Sequence, residues 1–564
     1  MLIDARNLPT DRIVESEVCI IGAGPAGITL AREFAGQNFQ VCLLESGGLE
    51  FNQETQSLCE GDTIGDPFLA LDDTRCRQFG GNANRWLIKI GNNQMGVRYV
   101  PLDEVDFEKR DWLPYSGWPF SKSHLDPFYQ RAQSVCKIGP FAYDAEAWED
   151  AQTSRLPLSD NRVTTTMFQF GPRNVFTHEY RNEINQAANI TTYLNANVVE
   201  IETSEVARTV TRVRVACLQG NGFWVTAKVF ILATGGIESA RLLLLSNKTQ
   251  KTGLGNQNDL VGRFFMDHPL VYSGMFIPSN PEIFNTTALY DMRRVNNVPV
   301  MGKLSLTQEV MRREQLLNIS TVLFPRPNFY QLKAINSLKT LLEDIRNPGI
   351  QKDTLKHLSN VMFGIDYIVV AAYLAASKQQ SFLHGFGRGG WSEVRNNQRR
   401  FKMFEVLHQT EQAPDPANRV MLSAERDRLG SQKVQVHWRW GDIDSHSIKR
   451  AQEIFTEEIA RAGLGQLHIE RNGDLPQIGS PAGTAHHLGT TRMHLDPKQG
   501  VVDENCRVHG VSNLFIASSS VFPTGGYANP TLTIVALAIR LADRVKKLMA
   551  MDAVTLLHNQ VLIR

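Results

Sequence analysis

A chain of 564 residues is longer than one hydrophobic core can fill, because single cores stop growing near ~250–300 residues, so two structural units are expected. With 42% hydrophobic and 21% charged residues the composition is that of an ordinary globular protein, which excludes large-scale disorder. The 59 basic and 58 acidic side chains are interspersed and leave a formal charge of +1, so no long-range field attracts a polyanion and nucleic acid is not an expected partner.

Met1 to Glu17 lacks the continuous apolar core of a secretory leader, so a cytoplasmic protein is expected. Seven cysteines, an odd number with no C-x-x-C pair, fit a reducing compartment and argue against a zinc site; no metal is expected. Glu17 to Ile21 reads as a short β-branched strand, Ala26 to Phe34 as a helix and Gln40 to Leu44 as a second strand ending at Glu45. The turn between the first strand and the helix is Gly22-Ala23-Gly24-Pro25-Ala26-Gly27. Gly22 allows the tight turn, Gly24 lets backbone N–H groups approach a pyrophosphate, and Gly27 lets the helix lie close to the strand. The helix N-terminus favours negative charge, and Glu45 suits a ribose hydroxyl. Strand, helix, strand and acidic end stand in the order a dinucleotide site requires.

A second strand-rich segment runs from Ile190 to Ala233, with apolar alternation in Val198 to Ile201 and Val210 to Cys217. Its last strand, Val229 to Ala233, ends at Thr234-Gly235-Gly236 and opens into a helix from Ile237 to Leu245, which fits either an edge of the nucleotide site or a plain turn. The stretches from Tyr99 to Asn189 and from Val271 to Ile478 are mixed, with a strand-like run at Val434 to Trp440 and a helical run from Ile448 to Ala462. Nucleotide-type segments thus lie at both ends and in the middle. The expected division is 1–98, 190–270 and 479–564 for the nucleotide domain, with 99–189 and 271–478 forming a second domain inserted twice. The longest apolar stretch, Val361 to Ala376, carries Asp366 and falls short of the ~18–20 residues that cross a bilayer, so it reads as a buried or lid helix. The surrounding segment, Phe329 to Trp391, is a candidate pocket wall.

Near the C-terminus stand Ala485-His486-His487-Leu488-Gly489 and Phe522-Pro523-Thr524-Gly525-Gly526-Tyr527-Ala528-Asn529-Pro530-Thr531. A neutral imidazole is a fit base for the proton of a carbinol O–H, and a second polar side chain can orient the oxygen. Asn529 also fits a helix N-cap, because Pro530 and the apolar run Leu532 to Ile539 follow it. A helix beginning there directs partial positive charge toward whatever lies at its N-terminus.

These motifs, together with Arg77-Gln78-Phe79-Gly80-Gly81, Ser116-Gly117-Trp118-Pro119 and Gly262-Arg263-Phe264-Phe265-Met266-Asp267-His268-Pro269, resemble the glucose-methanol-choline (GMC) oxidoreductases, nearest their pyranose oxidase-like, sugar-oxidising branch. The resemblance implies an α/β fold in which a Rossmann-like FAD-binding domain joins a substrate domain with a large antiparallel sheet. It implies His486, selected over His487 by its spacing to Gly489, as the catalytic base, with Asn529 as its partner. It implies FAD contacts at Gly22, Gly24, Pro25, Ala26, Gly27, Glu45, Ser46, Arg77, Gly81, Asn84, Val198, Ala233, Ser518, Asn529, Pro530 and Thr531. Arg85 lies close to where some members carry a histidine joined to FAD, so FAD is expected to be non-covalent. Ser518-Ser519-Ser520 stands where many members carry an acid, which departs from the usual ribityl contact.

The implied reaction is proton removal from a CH–OH group with hydride transfer to flavin N5, the substrate being an alcohol, a sugar, a polyol or a glycoside. Oxygen, a quinone or another carrier is the implied electron acceptor. The alternatives are an FAD-containing lyase on the same scaffold, a non-catalytic flavin-binding protein and a nicotinamide enzyme. Neither the oligomeric state nor the exact substrate follows from the sequence.

Overall fold

The computed structural model describes residues 1–91, 93–150, 153–159, 161–346, 353–378, 381–393, 396–469, 471–472, 475–476 and 484–562. Strands Val18–Ile21, Val41–Leu44 and Val229–Leu232 are wholly apolar and buried at every position, as strands covered on both faces must be. They lie in a six-stranded parallel sheet in the order Leu2–Asp4, Ile190–Leu194, Val41–Leu44, Val18–Ile21, Val229–Leu232 and Leu514–Ile516. The β-α-β unit read from the sequence is therefore present, with its helix at Pro25–Phe34. The sheet takes strands from the head, the middle and the tail of the chain.

Around a second, nine-stranded sheet the apolar pattern changes. Strands such as Val163–Pro172, Val298–Leu306, Ile319–Arg326 and Met403–Thr410 pair antiparallel. The pairs Arg98 with Phe170, Lys303 with Thr166, Ser305 with Ser320, and Ser320 with Gln409 put Arg98, Lys303 and Gln409 on one face. The expected division at 98–99 cuts the strand Gln94–Tyr99, which belongs to this sheet and pairs with Ile88–Gly91 before it and Val163–Pro172 after it. The division at 478–479 lies outside the described residues.

The run Val361 to Ala376 is not one buried helix. Thr354–Phe363 and the helix beginning at Ile365 meet at Gly364 with a bend of 78°. Tyr367, Ile368 and Ala371 turn inward onto Ala334 and Ile335, whereas Leu355, Met362, Phe363, Val369 and Tyr373 face outward. The periodicity thus has an inner apolar side and an outer apolar side, which is why hydropathy alone reads it as buried. No single helix among the described residues is long and apolar enough to cross a membrane.

The glycine loop gives a test of how closely the helix must lie. A Cβ on Gly27 would stand 1.8 Å from the carbonyl oxygen of Gly22, whereas one on Gly48 meets nothing closer than 3.6 Å. Gly27→Ala is expected to lower stability by about 1–3 kcal/mol, read as a drop in Tm, with Gly48→Ala close to the parent.

Candidate active site

Gly22 has φ +104°, and a Cβ there would meet the Ala233 carbonyl oxygen at 2.5 Å, so Ala233 backs the glycine loop directly. Gly24 caps the helix Pro25–Phe34 without a side-chain bond, and Pro25 opens it, so the N–H groups of Ala26 and Gly27 have no side-chain acceptor supplied by the cap. Gly81, at φ +53°, faces Gly24 so closely that its Cβ would stand 3.0 Å from the Gly24 Cα. Two glycine backbones therefore line the phosphate end of the cradle. Glu45 is buried, and its carboxylate accepts from Ala23 N–H (2.9 Å), Gly47 N–H (2.8 Å) and the Ser46 hydroxyl (3.2 Å). Burial raises its pKa, opposed by these donors. Ser46, Asn195 and Asn197 line an open cleft of about 900 Å³, and Val198 follows Asn197 on the strand Asn197–Thr203.

Arg77, Asn84 and Ser518, also among the expected FAD contacts, likewise use their side chains within the protein. Arg77 pairs with Glu238 at 2.9 Å, Asn84 donates to the carbonyls of Phe79 and Gly81 at 3.0 and 2.9 Å, and the Ser518 hydroxyl caps the turn Ser519–Val521 by accepting from Ser520 N–H. They shape the cradle rather than present a free side chain.

At the other end of the chain Asp267 is fully buried, and its carboxylate accepts N–H groups from His268 (2.6 Å), Thr484 (3.1 Å), Ala485 (3.1 Å) and His486 (3.0 Å). This bends the backbone, with Ala485 at φ +60°, and sets its path at His486. The residue as a whole is partly buried. His486 Nε2 stands 3.1 Å from Asn529 Nδ2, which brings the two expected catalytic residues together across 43 positions of sequence. His487 is not part of this pair: it is buried against Phe68 and Phe265.

The tautomer follows from a chain of hydrogen bonds. Gln409 Oε1 accepts from Arg98, and Gln409 Nε2 donates to the Tyr527 carbonyl (2.7 Å) and toward Asn529 Oδ1 (3.5 Å). Asn529 Oδ1 is then the acceptor, and its Nδ2, which can only donate, faces His486 Nε2. Nε2 is therefore bare of a proton, and Nδ1–H is the donor toward Thr484 Oγ1 (2.7 Å) or His268 Nδ1 (3.0 Å). Burial first, then the neighbouring His268 and Arg98, hold the His486 pKa well below the usual 6.5. The arrangement is that of a neutral base whose Nε2 lone pair accepts from Asn529 Nδ2–H.

The helix beginning at Thr531 corrects one expectation. The Pro530 carbonyl accepts from Ile534 N–H at 2.9 Å, so Pro530 is the capping position and Asn529 lies one residue outside the helix. Its side chain goes to His486. The sequence motifs also gave no sign of Asp267 as an anchor, or of Arg98, Gln409 and Lys303 as one wall. A lone cation within Val97-Arg98-Tyr99-Val100, and another within Met301-Gly302-Lys303-Leu304, were the available signals. Lys303 is fully buried, bonded to Thr166 Oγ1 (2.6 Å), Ser305 Oγ (2.9 Å) and Tyr527 Oη, and burial pulls its pKa down to about 7.

Residues 414–538, which include both His486 and Asn529, match the GMC oxidoreductase family model. Over these residues the chain is similar to the GMC oxidoreductases. Similar proteins include the fructose dehydrogenase large subunit of Gluconobacter japonicus, 27% identical over 57% of this chain and 47% of that protein. They also include the C-glycoside 3-oxidase of Arthrobacter globiformis, 36% identical over 21% of this chain and 22% of the relative. The 2-methyl-1,2-propanediol dehydrogenase of Mycolicibacterium austroafricanum is 22% identical over 94% of this chain and 95% of its own length. The first two matches thus span about half and about a fifth of those relatives. In fold, the chain resembles a formate oxidase of Aspergillus oryzae, at 15% identity, TM-score 0.50 and coverage of 94% and 98% of the two chains. An FAD-dependent oxidoreductase of Chaetomium thermophilum gives 15%, 0.50, 95% and 100%. The family cofactor is FAD, and the paired glycine backbones, the helix start without a side-chain cap and the buried Glu45 fit it.

Two outcomes test this geometry. Asp267→Ala strands four N–H groups and is expected to cost about 3 kcal/mol, seen in thermal unfolding. Because the lowered pKa keeps His486 neutral, the rate of flavin reduction at saturating alcohol should show no acid limb centred at 6.5; activity is lost only as pH falls through a lower value. Rapid mixing across that range reads it directly.

Proposed function

We propose that this chain is a GMC oxidoreductase that oxidises a CH–OH group of a sugar, polyol or glycoside, with His486 as base and Asn529 as the group that orients the reacting oxygen. The observation that carries this reading is the contact of 3.1 Å between Asn529 Nδ2 and an unprotonated His486 Nε2. A carbinol O–H that takes the place of Asn529 Nδ2–H at Nε2 gives up its proton there, while the released amide N–H donates to the oxygen and holds it in line. Thr484 Oγ1 and His268 Nδ1 receive Nδ1–H and keep the ring from turning as charge develops on it. Bound FAD supplies the hydride acceptor. The relatives named for fructose, C-glycosides and paromamine support a polyhydroxylated substrate.

Non-covalent attachment of FAD is supported at Arg85, whose guanidinium donates to the carbonyls of Asp73 and Asp72 at 2.9 Å and offers no nucleophile. Oxygen, a quinone or another carrier then takes the electrons.

The test is anaerobic mixing of the purified holoenzyme with alcohols, sugars and glycosides while the oxidised flavin band is followed. Bleaching by at least one of them is expected, and flavin is expected in the supernatant after denaturation. His486→Ala should slow bleaching by ~10²–10⁴-fold with the flavin still bound. A spectrum that stays oxidised with every alcohol while the substrate is cleaved would point to a lyase instead.

A further inference from the structure

Arg98 lies on the strand Gln94–Tyr99 and shares a sheet face with Lys303 and Gln409. The residue is 6% exposed, and its guanidinium lies 4.0 Å from the ring centre of Phe386 and 4.9 Å from that of Phe168. One nitrogen, Nη2, donates to Gln409 Oε1, while Nη1 is buried with no partner among the described residues.

The absence of an anion here is unusual for this protein. Of the six buried arginines among the described residues, Arg75, Arg110, Arg241 and Arg326 each pair with a carboxylate, Glu238, Glu411, Asp427 and Glu405 in turn. Arg98 and Arg492 have none among the described residues. Arg492 stacks on Phe264 and donates to the Tyr115 carbonyl, with no recorded bond to His486 or Asn529. Arg98 instead is joined to the catalytic pair through Gln409. A second cation, Lys303, lies on the same face and is bonded to hydroxyls alone. Burial pulls the Arg98 pKa down to about 9 and the Lys303 pKa to about 7, and the charges of Asp103 and Asp106 oppose the shift at Lys303, so Arg98 is the group whose charge an arriving anion would stabilise.

We propose that Arg98 anchors a carboxylate of the substrate through its free Nη1 edge, so the alcohol that His486 oxidises belongs to a polyhydroxylated acid. The proposal rests on the alcohol-oxidation reading above and narrows its substrate class. Gln409 holds Nη2 and leaves the N–H groups of Nη1, which lie in the guanidinium plane, for a planar carboxylate oxygen. The bonded path from Arg98 through Gln409 and Asn529 to His486 has three links, so the carboxylate and the reacting carbinol belong to one small molecule.

The test uses the oxidised holoenzyme, with no turnover, and follows the shift of the flavin spectrum on titration. The probes are D-gluconate and D-glucuronate set against D-glucitol and D-glucose. The carboxylates are expected to bind about tenfold tighter or more than their neutral partners. Arg98→Met should abolish that preference, read as the ratio of carboxylate to neutral binding because the change also frees Gln409, and Arg98→Lys should keep part of it, because a lysine retains the charge but not the planar fork. Equal or weaker binding of the carboxylates by the parent protein overturns the proposal, and this arm needs no variant to fold. An equal loss for charged and neutral compounds in Arg98→Met also overturns it, since that is the mark of a structural role. Flavin bleaching separates the two readings: neutral sugars that bleach the flavin without any preference for carboxylates sink the anchor alone. Carboxylates that bind tightly while no alcohol bleaches the flavin sink the oxidation reading and leave the anchor in place.

Discussion

The carboxylate of Asp267 governs the site, because it collects N–H groups from its neighbour His268 and from three successive residues of the tail, Thr484, Ala485 and His486. A chain segment with that many donors converging on one buried acceptor has a single backbone path. Burial raises the Asp267 pKa to about 6 and the donors oppose it, so the group sits near the balance between the cost of a buried charge and the worth of its hydrogen bonds. The backbone path at His486 is a consequence of this contact, and Thr484, His268 and Asn529 hold the ring itself.

From that fixed ring the polarity of the site propagates outward through hydrogen bonds with assigned directions. Arg98 orients Gln409, Gln409 orients Asn529, and Asn529 leaves His486 Nε2 free of a proton. Each amide has one donor end and one acceptor end, so fixing the first link fixes the last. The wall that does this comes from the antiparallel sheet, while the loop that holds the imidazole comes from the tail, and the glycine cradle comes from the head. The parallel sheet that joins head, middle and tail is thus what makes one site out of three distant stretches.

The long apolar stretch at 354–378 shows where pattern and packing part company. Its inner residues form a small core of their own with Ala334 and Ile335, and its outer residues stay exposed. The segment around Phe386 behaves differently, since that ring closes over Arg98. Within the candidate pocket wall read from 329–391, it is the loop after the helices that reaches the catalytic face.

Sequence alone determined the elements whose cause is local. The glycine loop, its flanking strands and Glu45 are legible because a turn with φ +104°, a helix packed against backbone and a buried strand each demand particular residues at fixed spacing. The motif around His486 and Asn529 was legible for the same reason, as a pattern of residue types. What only the tertiary structure decided are the roles that depend on residues far apart in the chain. Asn529 as a partner of His486 rather than a helix cap, Asp267 as the anchor of that loop, the assignment of the strand Gln94–Tyr99 to the antiparallel sheet, and the meeting of Arg98 with Gln409 all follow from strand register and long-range hydrogen bonds. A lone arginine in an apolar strand carries no sign of its partners until the neighbouring strands are laid beside it, because pleating fixes which face a side chain takes and only pairing fixes what it meets there.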